Sequence, residues 1–107
     1  DQARAQQSEA EAYYRKTELQ AREEIATSAV VYNKARQSLD YLEAAAKSSE
    51  RAAALARLRF DEGATDLFQV LDAERTMLAA QDRLASGRTA ATNGLVTLYR
   101  ALGGSMP

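Results

Sequence analysis

The chain contains no cysteine and no histidine. Without cysteine there is no disulfide framework, no thiolate zinc site and no cysteine nucleophile. Without histidine the commonest metal ligand and general base is missing. Tryptophan is also absent, and the one proline is Pro107, so nothing inside the chain obliges a helix to break. Neither sign of charge dominates: 14 Lys+Arg stand against 15 Asp+Glu, a net of -1. That balance excludes the basic footprint of nucleic-acid binding. A hydrophobic content of 46% excludes a disordered acidic tail. Long apolar runs are missing too. The longest, Ala52–Ala56, falls far short of the ~18 residues of a membrane span.

What is present is alanine, roughly a fifth of the chain and the best helix former. A length of 107 residues allows one domain and no second core. The composition therefore reads as a single all-α object that is not an enzyme, with no metal and no cofactor. The opening Asp1-Gln2-Ala3-Arg4 has helical character and does not resemble a signal peptide. Such an opening is expected of a piece of a larger protein.

The first glycine is Gly63, and no proline precedes it. Glycine suits the left-handed position just past a helix end. Asp66 then offers a side-chain oxygen to the free amides of a new helix, with Gln69 three residues on, a variant of the capping box. The spacing predicts a single helical hairpin: helix 2–62, tip turn 63–65, helix 66–102 and a frayed tail 103–107 that begins at Gly103-Gly104. Helices joined by so short a turn run antiparallel. Their lengths are unequal, roughly 90 Å and roughly 55 Å at the rise of an α-helix. Residues up to about Ala26 then have no partner within the hairpin.

Both helices repeat every seven residues. In the first, Ile25, Tyr32, Leu39, Ala46, Ala53 and Phe60 form one line, and Ala21, Ser28, Ala35, Leu42, Ser49 and Ala56 its companion. Alternating spacings of 4 and 3 mark a coiled-coil seam. In the second, Val70, Met77, Leu84, Ala91 and Leu98 form one line. Ala73, Ala80, Gly87, Gly94 and Ala101 form the next, and all are small. Glycines cost a helix about 1 kcal/mol each relative to alanine. Their recurrence at seven points to close helix packing at Ala73, Ala80, Gly87 and Gly94. A third line, Leu71, Leu78, Ala85, Thr92 and Tyr99, lies beside the first. Three adjacent lines are wider than a two-stranded coiled coil requires, as in a barrel stave with a neighbour on each side. The mixed charges elsewhere, such as Arg57-Leu58-Arg59 and Gln81-Asp82-Arg83, read as a solvated face.

Carboxylate pairs such as Asp66 with Asp72 have no histidine, cysteine or phosphate-cradling loop beside them. Bundle metal sites built on Glu-x-x-His cannot exist in this chain. Near the turn, Phe68, Asp72 and Arg75 share one face at spacings of four and three. Spacing alone leaves two readings open, an apolar plug with a surface ion pair or a functional tip.

The stretch Leu58-Arg59-Phe60-Asp61-Glu62-Gly63-Ala64-Thr65-Asp66-Leu67-Phe68-Gln69-Val70-Leu71-Asp72-Ala73-Glu74-Arg75 and the ending Leu98-Tyr99-Arg100-Ala101-Leu102-Gly103-Gly104 resemble the outer membrane efflux protein family. These are the TolC/OprM-like exit ducts of tripartite pumps. The upstream run from Thr17 to Ile25 fits the same family, so the resemblance spans nearly the whole chain. It implies one periplasmic helical hairpin of a trimeric α-barrel, in a homotrimer whose membrane strands lie elsewhere. It further implies passive efflux through the bacterial cell envelope, with a gate at the tip. Phe68, Asp72 and Arg75 fall on the residues that line the closed aperture of OprM-like members. Gln69 stands where other branches carry a second acid, and Phe68 where leucine is usual. Glu62, Gly63, Ala64 and Thr65 match the segment that meets the periplasmic adaptor (membrane fusion) protein, although Glu62 is acidic where the branch is not. The inner-membrane transporter would be an indirect partner. Alone, the chain is expected to self-associate as an antiparallel dimer. The alternatives are a periplasmic adaptor hairpin, whose arginine–leucine–serine tip pattern is missing here, and an unrelated coiled-coil scaffold.

Overall fold

The computed structural model describes residues 1–105. Methionine 106 and proline 107, at the end of the expected frayed tail, lie outside the described residues. The fold is a helical hairpin. Helix α1 runs Gln2–Asp61 and helix α2 Leu67–Ser105, with no strand among the described residues. Asp1 caps α1: its carboxylate accepts from the Ala3 amide at 3.3 Å and its carbonyl from the Ala5 amide at 3.1 Å. Further along, Arg22 pairs with Glu18 at 2.8 Å, an exposed contact one turn apart.

The turn forms as the glycine predicts. Gly63 has φ +79°, the one positive φ among the described residues. Its amide donates to the Phe60 carbonyl at 3.0 Å, and the Ala64 amide to the Arg59 carbonyl at 2.8 Å. This pair of bonds is a Schellman motif, which satisfies carbonyls that the ending helix leaves free. Asp66 opens α2 by accepting from the Gln69 amide at 3.0 Å. The reciprocal half of a capping box is replaced, because the Gln69 side chain accepts from the Thr65 hydroxyl. No atom lies within 4 Å of the Cβ that alanine would place at Gly63. Gly63→Ala should therefore cost only its backbone strain, about 1–2 kcal/mol, and lower the melting temperature of the full-length protein. Gly103→Ala, at a helical position equally free of neighbours, should not lower it.

The chain packs as two units. The first comprises Asp1–Asn33 with the residues from Asn93 onward, and the second Lys34–Thr92. In the second unit the core is Leu39, Ala46 and Ala53 from α1 against Val70, Ala80 and Ala91 from α2. These are members of the lines that the heptads define. Four of the six are alanine, and one methyl contributes about 0.8 kcal/mol where a whole leucine contributes two to three times that. The seam is thus close-packed and modest in apolar gain. Phe60, the last member of its line, is 40% exposed.

In the first unit, residues 1–20 are all exposed, and the first half-buried position is Ala21. Gly94 is buried against Tyr32. Cover thus begins nearer the start than the expected Ala26. Nor does α2 stop at Leu102. It continues through Gly103 and Gly104 to Ser105. Neither glycine has a positive φ, so the pair extends the helix and the helix end moves three residues on.

Candidate functional site

The region with the most unusual side chains is the tip and the first two turns of α2. The Schellman turn and the Asp66 cap fix where α2 starts, and hence where Phe68, Asp72 and Arg75 project. All three are exposed. Phe68 is 81% exposed, so it does not plug the end of the hairpin. Asp72 and Arg75 form a loose ion pair at 3.9 Å on the surface. At such exposure the pair contributes little to stability. Phe68 and Asp72 also line an open groove between the helices with Leu55, Arg59 and Asp66. Its floor is small, Ala52, Ala56 and Ala73. Glu62, Gly63 and Ala64 stand exposed on the turn, and Thr65 is half-buried there.

The small line lies where the helices meet. Ala80 and Gly94 are buried, and Ala73 and Gly87 half-buried. The two glycines make room for different things. A Cβ on Gly94 would sit 3.5 Å from Tyr32 Cα, an ordinary contact against backbone. A Cβ on Gly87 would overlap Leu42 Cδ1 and lie 3.4 Å from Leu39 Cδ2. Gly87 is thus a socket for leucine side chains.

The third line of α2 is uncovered. Leu71 is 51% exposed, Leu78 60% and Tyr99 65%, and Ala85 and Thr92 between them are exposed as well. Rows of large apolar side chains left in water mark contact surfaces. No helix among the described residues is long and apolar enough to cross a membrane. No group of His, Cys, Asp or Glu among them is arranged to hold a metal ion.

Two bridges between the helices escaped the reading of the charges as solvent-facing. Arg57 forms an ion pair with Glu74, and Gln81 Nε2 donates to Glu50 Oε1 at 3.0 Å. The hydrogen bond and charge of Glu74 raise the Arg57 pKa above its ordinary value. The positions of these residues beside the seam, though not their pairing, were legible in the sequence. Glu50 and Arg57, like Glu74 and Gln81, are seven apart and border the seam.

Fold and site together define a long helical hairpin, closed along a small-residue seam and open along a neighbouring apolar row. The chain belongs to the outer membrane efflux protein family, whose model matches residues 1–104. It is 34% identical over 104 residues to the pyoverdine export outer membrane protein OpmQ of Pseudomonas aeruginosa, covering 97% of this chain and 22% of OpmQ. It is 33% identical over 102 residues to the outer membrane protein OprJ of the same organism, covering 95% of this chain and 21% of OprJ. Over 50 residues it is 44% identical to the probable efflux pump outer membrane protein SepC of Pseudomonas putida, covering 47% of this chain and 10% of SepC. The chain therefore spans about a fifth of the length of OpmQ and OprJ. No solved structure matches it significantly. Family membership places it in the bacterial cell envelope, among efflux components of the outer membrane.

Proposed function

We propose that this chain is a periplasmic wall segment of an outer membrane efflux duct, a passive conduit and not an enzyme. The observation that carries the reading is the exposed row Leu71, Leu78 and Tyr99 beside a seam that is already closed. A free-standing hairpin has no use for that second apolar flank, whereas a helix in a barrel wall has a neighbour on each side. In a homotrimer, three such hairpins contribute staves to an α-barrel. The gate lies at the tip, where Phe68, Asp72 and Arg75 project toward the axis. The inner-membrane transporter supplies the energy for export.

The tip also docks the periplasmic adaptor. Glu62, Gly63, Ala64 and Thr65 form its contact surface, and the groove beside it offers apolar Leu55 and Phe68 with acidic Asp66 and Asp72. That lining suits a partner hairpin bearing an apolar and a basic side chain. This segment has no cysteine, so a single introduced thiol reports its own neighbourhood. In cells expressing the full-length protein, Thr65→Cys should cross-link to a cysteine placed at the adaptor's hairpin tip. Ala44→Cys, exposed but far along α1, should not. Equal labelling at both positions, or at neither, removes the tip as the docking site.

A further inference from the structure

The buried seam ends earlier on α1 than on α2. The buried residues nearest the turn are Ala53 on α1 and Val70 on α2, and none of residues 54–69 is buried. The ion pair between Arg57 and Glu74 ties this part of α1 to α2, with the buried Val70 on its tip side. The bond between Gln81 and Glu50 joins them again, seven residues further from the turn on each helix. One repeat further on, the same two lines carry Glu43 and Arg88, once more of opposite charge. One edge of the hairpin is therefore a polar ladder with its strongest rung nearest the tip.

We propose that this ladder is a strut: beyond Ala53, where α1 has no buried residue of its own, Arg57 and Glu74 hold the ends of α1 and α2 together as one body. Glu74 is the better buried partner, with a side chain 29% exposed against 65% for Arg57. Packing holds the carboxylate in place, and the longer guanidinium reaches across to it. Asp61, one turn beyond Arg57, adds further attraction for the same cation. Splaying of the tip breaks the Arg57 rung first and the Glu50 rung next. Motion of the tip then carries both helix ends together.

Hydrogen exchange in the full-length protein tests the strut directly, and it does not depend on conduction or adaptor docking. Arg57→Glu places two carboxylates face to face. It should accelerate amide exchange across residues 54–69 by about fivefold, as expected for one lost ion pair acting on a local opening. Arg57→Gln, which removes the charge without repulsion, should give a smaller acceleration in the same segment. Arg57→Glu combined with Glu74→Arg restores the pair and should return exchange to the wild-type rate. Arg51→Glu makes the same charge change at an exposed position off this edge and should leave the segment unchanged. The proposal is overturned if both Arg57 variants exchange at the wild-type rate, if the exchanged pair fails to restore it, or if Arg51→Glu accelerates the segment equally.

Discussion

Asp72→Ala in the full-length trimer should raise its single-channel conductance and lower its preference for cations. The side chain is 74% exposed, and its pairing with Arg75 at 3.9 Å is too loose to cancel its charge. In a threefold assembly with the tips at the axis, three copies form an anionic ring, a common means of biasing a pore toward cations. A unit charge about 4 Å from a passing ion is worth about 1 kcal/mol in water, roughly a fivefold change in local cation concentration. Removing all three should therefore bring the cation-to-anion permeability ratio down severalfold. If the tip is the gate proposed above, removal also releases Arg75 and shortens a side chain at the aperture, so more current should pass. Planar-bilayer recordings in salt gradients read both quantities. If both stay at wild-type values, Asp72 has no place in the gate.

The second large effect separates the two glycines of the seam. Gly87→Leu adds an isobutyl group where even a Cβ would overlap Leu42 and press on Leu39, which is only 8% exposed. Overpacking of this kind costs about 1–3 kcal/mol, more than the helix propensity gained by replacing glycine. Gly94→Ala places its methyl in ordinary contact with Tyr32 and gains about 1 kcal/mol of helix propensity. Thermal melting of the full-length protein should therefore fall with the first change and hold or rise with the second. Shifts of the same sign in both variants would mean that the glycines serve one purpose, contrary to their different neighbours.

Much of this hairpin is visible in the heptads, for a physical reason. Leu39, Ala46 and Ala53 lie seven apart because two helices can share a seam only if apolar residues return to the same face. Gly63 is equally legible, since few residues accept its φ. The exposed row from Leu71 to Tyr99 is legible as a surplus, one line more than a pair of helices can cover. Other features depend on information that periodicity does not hold. Gly103 and Gly104 continue α2 although glycine also ends helices, and the local sequence is the same for either outcome. The rungs Arg57–Glu74 and Glu50–Gln81 need the register between the helices, which the turn geometry sets. Spacing puts Phe68, Asp72 and Arg75 on one face. It does not decide that Phe68 points into water instead of closing the hairpin end.

The tight cap at Gly63 also shapes how the hairpin can assemble. Arg57 and Glu74 are 17 residues apart in the chain, and Glu50 and Gln81 are 31 apart. Each successive contact is only slightly more distant than one already made, so the entropy of closing a loop is met chiefly once, at the turn. Pairing then advances outward like a zip, a low-contact-order route of the kind that folds quickly. A nascent chain would meet this requirement late, because the long first helix must wait for Gly63 and the first turns of α2 before any of its seam is covered.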